Sequence, residues 1–304
     1  LSIDSSYEDT QRYLQEHKDN NKDYWDKYIL QIEEEERNDL SGLLLSTNKQ
    51  LRISEYKHII NSEEQVLTVK DLVYYSLKKL GQEEGVTLNA ILQYAWHKVL
   101  SIYGHSNKTV VGTTVSGRNL PIDNIESSVG LYINTLPLIV DHQNQQVQSV
   151  IEAIKGIQDN INEINSRSDI SLAQLQRGGE RLFVSLFVYE NYPNPANEEQ
   201  QSKIKINFKG GIEKVDYPLG VIAYETKDAL VFKLKYAGEL FSKESINNLL
   251  LVTEKLLEQI ASNYKQEEKG LSYLDAEQYE QIIYNWNQTE KEYPGDKTIH
   301  ELFE

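Results

Sequence analysis

Two neighbouring stretches of sequence decide the fold: Gly112-Thr-Thr-Val-Ser-Gly-Arg118 and Val129-Gly-Leu-Tyr-Ile-Asn-Thr-Leu-Pro-Leu-Ile-Val140. Both are rich in valine, isoleucine, leucine and threonine, which favour strands, and the first ends in a glycine turn with an arginine. The residues between them are polar. The pattern therefore predicts two strands that flank a polar loop.

The rest of the chain supplies helices and further strands around this pair. We predict a long helix over 5–38, a strand over 51–60 and a helix capped by Thr68 that ends near Gly81. A core helix is predicted over 87–103 and further helices over 147–165 and 242–264, with strands over 183–190, 204–208, 221–226 and 230–236. The sequence therefore predicts an α/β or α+β fold with one mixed β-sheet covered by helices.

Composition excludes several classes of function. The 304 residues include no cysteine, so disulfides, thiolate nucleophiles and cysteine metal sites are excluded, and a cytoplasmic location is consistent with this. A net charge of −16 argues against a nucleic-acid partner. No apolar run is long enough to cross a bilayer, so we expect a soluble protein without a membrane partner. Because the sequence starts at Leu1 and contains no methionine, we expect a segment of a longer chain.

The histidines do not form a recognisable metal site or catalytic motif. The six histidines are scattered, and none pairs with another at metal-ligand spacing. We expect His97, on the predicted core helix, to be a packing residue and His142, after the second strand, to be exposed. The sequence also lacks a GxSxG elbow, a Walker loop and a GxGxxG turn.

Polar residues at the ends of predicted strands are the remaining candidates for a site. If the strands are neighbours, these residues line a cleft, where asparagine and tyrosine donate to an oxyanion and arginine holds a carboxylate. The competing interpretation, which sequence alone favours, is that they satisfy backbone groups at turns. The candidates are Ser116, Arg118, Asn134, Thr135, Glu190, Asn191 and Tyr192.

The same stretches resemble the condensation domains of nonribosomal peptide synthetases. That family has a strand ending in SGR, a short loop and then (I/V)Gx(F/Y)(I/V)NTLP. Other motifs follow in the family's order, and the resemblance covers essentially the whole chain. They are Ser6-Tyr-Glu-Asp9 with Tyr24-Trp25, Ser171-Leu-Ala-Gln-Leu-Gln176, the strand 182–193, and the tail from Leu274 through Trp286-Asn-Gln-Thr289 to Phe303.

The resemblance implies a chloramphenicol acetyltransferase-like fold, in which two lobes form a V around a tunnel. The family transfers an upstream aminoacyl or peptidyl thioester to the amine of a downstream aminoacyl thioester. Its active-site sequence HHxxxDG is absent here. We therefore expect residues 1–265 to be the C-terminal lobe, and 266–304 to be a linker toward an adenylation domain. The catalytic histidine is expected upstream, and the fragment alone is expected to be inactive.

The family likeness also implies roles for individual residues. Asn134 and Thr135 are expected to face the tunnel, as are Ser116, Asn191 and Tyr192. Arg118 is assigned to structure or to a carboxylate contact across the lobes. The loop 119–126 is expected to form part of the tunnel floor. No metal ligand is expected.

The implied partners are the upstream and downstream peptidyl carrier proteins, the N-terminal lobe and the adenylation domain. No cofactor is expected to bind directly, because the substrates hang on the phosphopantetheine arms of the carriers. Two alternatives stay open. One is an epimerisation domain, although its counterpart strand usually reads VGWFT, and the other is a non-catalytic docking scaffold for carrier proteins.

Overall fold

The computed structural model describes residues 4–32, 40–48, 51–143, 148–176, 181–191, 216–274, 276–291, 295 and 298–303. These residues fall into two compact units, 1–271 and 272–304. The helices of the first unit are α1 Ser6–His17, α2 Lys22–Ile29, α3 Asp71–Glu84, α4 Leu88–Gly104, α5 Val150–Ser166, α6 Leu172–Leu175 and α7 Lys243–Asn263. Its strands are β1 Ser62–Lys70, β2 Lys108–Val115, β3 Asn134–Asp141, β4 Ser185–Glu190, β5 Leu219–Glu225 and β6 Ala229–Ala237.

The described strands form a single mixed sheet in the order β1-β6-β5-β4-β2-β3. Strand β4 runs parallel to β2 and to β5, whereas the other neighbouring pairs are antiparallel. The predicted mixed sheet covered by helices is thus confirmed. The predicted strand over 204–208 lies outside the described residues.

Helix α4 is the centre of the core. Its N-cap Thr87 accepts a hydrogen bond from the Ala90 amide, as expected where a helix must satisfy its first N–H groups. Trp96 is fully buried, and its indole N–H donates to the Ser185 hydroxyl on β4 at 2.9 Å. Gln93 donates to Thr113 on β2 at 2.5 Å. One helix therefore holds two neighbouring strands of the sheet through buried polar contacts.

The prediction of one helix over 5–38 was wrong within the described residues. The chain turns between His17 and Lys22, so α1 and α2 are separate helices. The buried Trp25 on α2 donates from its indole nitrogen to the Arg167 carbonyl at 3.0 Å. Tertiary packing of α2 therefore overrides the helical periodicity of the longer run.

The predicted strand over 51–60 was also wrong. This segment contains a short 3₁₀ turn at Ile53–Glu55, and the edge strand β1 follows it. The Glu239 carboxylate holds the segment, accepting from the Tyr56 hydroxyl at 2.6 Å and from the Ile60 amide at 2.7 Å. Thr68 is part of β1 and does not cap a helix, because α3 begins at Asp71.

The second unit contains short helical segments. An α-helical turn, α8, at Ala276–Tyr279 continues as a π-helical segment at Glu280–Asn285, and a further helix, α9, spans Ile299–Phe303. The Asn287 side-chain amide donates to the carbonyls of Ile282 and Ile283 at 3.0 and 2.8 Å. This contact satisfies carbonyls at the end of the helical segment.

The predicted division at residue 265 stays a prediction. Gln266 and Glu268, which lie in the predicted linker, form backbone hydrogen bonds with Val150 and Gln148. No helix in the described part of the chain is long and apolar enough to span a membrane.

Candidate functional site

The strand ends that carry the polar candidates lie at one end of the sheet. Val115, the last residue of β2, pairs with Asn134, the first residue of β3. Strand β4 runs parallel to β2, so Asn191, which follows β4, lies at the same end. Ligand-binding crevices of α/β proteins commonly form where parallel strands end. The structure therefore brings Ser116, Asn134 and Asn191 to a common end of the sheet.

A cleft of about 390 Å³ opens beside Asn134. Helix α1, the segment before β3 and the turn that follows α5 form its walls. Among the described residues predicted individually for the site, Asn134 alone lines this cleft, and Leu120 of the predicted floor loop 119–126 lines it as well. Its lining residues are Thr10, Gln11, Leu14, Gln15, Lys18, Gly117, Leu120, Leu131, Tyr132, Ile133, Asn134, Ser168, Asp169, Ile170, Ser171 and Gln174.

The Asn134 side chain ties β3 to the turn after α5. Its Nδ2 donates to the carbonyls of Ser168 and Ile170 at 3.1 and 2.6 Å, and its Oδ1 accepts from the Thr135 amide at 2.8 Å. Both N–H groups of the side chain are thus engaged with backbone carbonyls. This geometry suits a residue that shapes the cleft wall better than one that donates to an oxyanion.

Arg118 makes structural contacts next to the cleft. Its guanidinium carbon lies 4.2 Å from the centroid of the Tyr132 ring. Its Nη1 donates to the Ser128 carbonyl at 3.0 Å and also to the Ile125 carbonyl. In the part of the chain that the structure describes, the Arg118 side chain thus binds backbone carbonyls of the polar loop. A carboxylate contact across lobes stays a prediction.

The other predicted residues are less enclosed. Ser116 is exposed, and its hydroxyl accepts a long hydrogen bond of 3.4 Å from the Arg118 amide. Thr135 pairs with Thr114 across the β2–β3 ladder and is half-buried. Asn191 is exposed at the end of β4. Tyr192 lies outside the described residues.

Sequence reasoning missed a polar cluster at the same end of the sheet. The Glu225 carboxylate, at the end of β5, accepts from the Tyr74 hydroxyl at 2.7 Å and from the Tyr189 hydroxyl at 3.4 Å. Lys78 lies 3.0 Å from it. The pKa of Glu225 is lower than its ordinary value. Burial alone would raise this pKa, but the hydrogen bonds from Tyr74 and Lys78 outweigh the effect of burial. Glu225 is therefore an ionised structural partner, and its contacts span elements too distant in sequence to predict.

The buried histidines lie within the core. His97 Nδ1 and His142 Nε2 both contact the Thr109 hydroxyl, at 2.6 and 2.8 Å. His97 is a packing residue, as expected, whereas the prediction of an exposed His142 was wrong. Burial and the charge of Lys98 lower the pKa of His142 to about 3, so it stays neutral. Neither imidazole lines the cleft.

No metal centre is present among the residues that the structure describes. In that part of the chain, no group of three or more His, Cys, Asp or Glu side chains is arranged to hold a metal ion. The side chains that line the cleft carry amides, hydroxyls and hydrocarbon, together with the charged groups of Lys18 and Asp169.

Comparison with known proteins agrees with the fold and the motifs. The family model of the condensation domain matches residues 5–283. The chain therefore belongs to the condensation-domain family.

Curated relatives are large synthetases. The chain is 40% identical over 309 residues to N-(5-amino-5-carboxypentanoyl)-L-cysteinyl-D-valine synthase of Amycolatopsis lactamdurans, covering 99% of this chain and 8% of that protein. It is 27% identical over 289 residues to bacitracin synthase 3 of Bacillus licheniformis, covering 93% of this chain and 4% of that protein. The chain thus spans a small part of the relatives that it matches.

Solved structures support the fold. The first condensation domain of the calcium-dependent antibiotic synthetase, in complex with a substrate analogue, matches with a TM-score of 0.67 at 14% identity, over 90% of this chain and 58% of that one. The condensation domain of the Monacolin K polyketide synthase matches with a TM-score of 0.64 at 13% identity, over 88% of this chain and 64% of that one. The chloramphenicol acetyltransferase-like fold implied by the sequence is thereby confirmed.

Proposed function

We propose that this chain is the C-terminal lobe of a condensation domain that forms peptide bonds between carrier-bound thioesters. The amine of a downstream aminoacyl thioester attacks the carbonyl of an upstream aminoacyl or peptidyl thioester. A new C–N bond forms, the C–S bond breaks, and the upstream thiol leaves with the proton that the amine loses. The lobe supplies one wall of the space in which the two substrates meet.

The observation that carries this proposal is the position of Asn134. The motif-bearing strands β2 and β3 meet at the cleft, and the Asn134 amide joins β3 to the turn at 168–170. The motif thus lies beside a cavity large enough for a ligand.

The physical requirement of the reaction suits such a wall. A thioester is already activated, so the catalyst gains most by holding the two reactants in reacting geometry and by stabilising the developing oxyanion. Residues on rigid elements hold a geometry better than residues on free loops. Asn134 is held rigidly in this way, because it is the first residue of a strand and its side chain makes three hydrogen bonds.

The cleft also suits a phosphopantetheine arm. Such an arm alternates amide groups with hydrocarbon, and the cleft presents Gln11, Gln15 and Gln174 together with Leu14, Leu120 and Leu131. Amide side chains at the walls pair with the amides of the arm, while the leucines cover its hydrocarbon. Under this proposal, the carriers are the partners and no cofactor binds to this lobe directly.

The test uses the complete protein with upstream and downstream carriers loaded with different aminoacyl groups. Mass spectrometry of the downstream carrier, combined with chiral chromatography of the aminoacyl groups released from both carriers, distinguishes the candidate functions. Condensation predicts the summed dipeptidyl mass on the downstream arm. An epimerisation domain predicts an unchanged mass with inverted configuration, and a docking scaffold predicts carrier binding without either change. Either of the last two results would overturn the proposal.

This chain alone is expected to be inactive, because it contains no HHxxxDG motif and both of its buried core histidines, His97 and His142, lie away from the cleft. The same loaded carriers, incubated with the 304-residue chain, are expected to keep their separate masses. Formation of dipeptidyl carrier by the chain alone would contradict this assignment.

A further inference from the structure

Tyr132 lies at the centre of the contacts beside the cleft. Its side chain is buried, with 6% of its surface exposed. The Arg118 guanidinium stacks over its ring at 4.2 Å, and the Tyr7 ring from α1 meets it edge-on at 5.5 Å between centroids. Cation–π and edge-to-face contacts of this kind each favour one ring orientation. Residues from two distant parts of the chain therefore fix this ring.

The backbone of Tyr132 is fixed as well. Gly117 has a left-handed φ of +63°, and a Cβ at this position would lie 1.9 Å from the Tyr132 carbonyl oxygen. Any other residue at Gly117 would push the turn after β2 away from the segment before β3. The glycine between Ser116 and Arg118 is thus required by its approach to Tyr132.

The Tyr132 hydroxyl connects the polar loop to the start of α1. It donates to the Ser128 hydroxyl at 2.8 Å, which in turn donates to Asp4 Oδ2 at 2.7 Å. Nearby, the Ser6 hydroxyl donates to the Asp123 carbonyl at 3.0 Å. The loop 119–128 is thereby held by Arg118 on one side and by the first residues of α1 on the other.

We propose that Tyr132 is a positioning residue that couples α1, the loop 119–128 and the cleft wall at Asn134. Tyr132 and Asn134 are two residues apart, and both line the cleft, as does Thr10 of α1. A substitution that moves the Tyr132 ring is therefore expected to shift Asn134 at the cleft wall through the intervening backbone. It is also expected to loosen the loop, because the ring and its hydroxyl contact Arg118 and Ser128. The catalytic consequence rests on the proposed function, whereas the coupling itself does not.

The test compares variants of the complete protein by hydrogen exchange and by kinetics. Tyr132→Leu removes both the ring contacts and the hydroxyl, so we expect about tenfold faster amide exchange in 119–128 with unchanged exchange in the α4 helix. Tyr132→Phe keeps the ring contacts and loses the hydroxyl, so a smaller increase confined to the same loop is expected.

The kinetic readout separates positioning from a general structural role. Because misplacement of reacting groups slows the chemical step, we expect Tyr132→Leu to lower kcat about tenfold while the KM for the loaded downstream carrier stays within about twofold. Restoration of most of kcat in Tyr132→Phe would support the role of the ring.

Several outcomes would overturn the proposal. These are unchanged exchange of the loop in Tyr132→Leu, an equal increase in α4, or faster loop exchange with unchanged kcat. If Tyr132→Leu does not fold, Tyr132→Phe and Ser128→Ala decide, and unchanged loop exchange in both contradicts the coupling. Absence of amide-bond formation by the wild-type protein would refute the proposed function, while the exchange measurements would still decide the coupling.

Discussion

At the scale of single residues, close backbone approaches shape the region around the cleft. Gly112 lies in β2, and a Cβ at this position would come within 2.1 Å of the Phe183 ring, which is fully buried. Phe183 precedes β4, the strand that pairs with β2. The absent side chain at Gly112 thus leaves the space that the Phe183 ring fills.

We expect Gly112→Ala to lower the free energy of unfolding by about 1 to 3 kcal/mol, because a buried aromatic ring must move to admit the methyl group. The matched control is Gly156→Ala on α5, where nothing lies within 4 Å of the added Cβ. That change is expected to raise stability by roughly 0.5 to 1 kcal/mol, since alanine favours a helix. Urea unfolding measures both, and equal effects would contradict this account.

Single residues also show where sequence reasoning reached its limit at the site. The position of Asn134 at a strand end was predictable from the run of β-favouring residues. Its partners, the carbonyls of Ser168 and Ile170, were not, because they come from a turn more than thirty residues further along the chain. A side chain's partners depend on tertiary packing, which periodicity does not encode.

At the scale of elements, α4 combines an apolar core with buried polar groups. Sequence periodicity correctly predicted that this helix lies in the core, but it assigned no hydrogen-bond partner to His97. The structure pairs His97 with Thr109 of β2, which also contacts His142 after β3. The error for His142 has the same cause, since a histidine just beyond a strand looks exposed until the neighbouring helix is in place.

The neutral His142 makes stability depend on pH. Its pKa in the folded protein is about 3, compared with an ordinary value of 6.5. Between these values the unfolded chain binds a proton that the folded chain does not, so stability falls as the pH falls. From pH 7 to pH 5, His142 alone is expected to cost about 2 kcal/mol of unfolding free energy.

His142→Gln is therefore expected to reduce the loss of stability between pH 7 and pH 5 by about 2 kcal/mol, measured by urea unfolding at each pH. The control for the substitution itself is His58→Gln, the same change at an exposed position. An unchanged slope in His142→Gln would show that this histidine does not stay neutral in the folded protein.

Element boundaries were predictable where caps and periodicity agree. Helix α5 starts after Ser149, which forms a capping box with Glu152, close to the predicted start. The segment 51–60 failed because the Glu239 carboxylate, from the turn after β6, holds it in a non-strand conformation. Where the local sequence signal is weak, as in 51–60, long-range contacts therefore determine the backbone conformation.

At the scale of the whole molecule, a buried ion pair joins α4 to the last residues of the first unit. Lys98 Nζ lies 3.4 Å from Glu268 Oε1, and their side chains are 5% and 1% exposed. Glu268 also accepts from the Tyr94 hydroxyl at 2.8 Å and from the Gln148 side chain at 2.9 Å. The turn at Glu268–Gly270 is therefore anchored to the core before the chain reaches the second unit.

We expect Lys98→Met to lower the free energy of unfolding by about 3 to 5 kcal/mol, because it leaves a buried carboxylate without its counter-charge. The matched control is Lys155→Met, which removes the more exposed Lys155–Glu84 pair and is expected to cost less than about 1 kcal/mol. Chemical denaturation compares the two variants. Equal costs would show that Glu268 does not depend on Lys98.

The order of motifs along the chain was the most predictable property of the molecule. The motifs of the SGR turn, the Asn134 strand and the 183–190 strand were predicted from sequence. That β2, β3 and β4 are neighbours in one sheet, which the sequence left open, is given by the structure. The end of the first unit was harder to predict from sequence. Polar residues such as Gln266 and Glu268 resemble a linker, although their contacts are made with the first unit.

The most direct test of the central claim is the single-turnover rate of dipeptidyl-carrier formation by the complete protein carrying Asn134→Ala. We predict a rate at least about tenfold below the wild type, because the cleft wall loses its link to the turn at 168–170. The folded fraction is expected to stay unchanged, and the control Asn162→Ala, at an exposed position on α5, is expected to keep the wild-type rate. An unchanged rate in a folded Asn134→Ala protein would contradict the claim that this cleft is part of the reaction space.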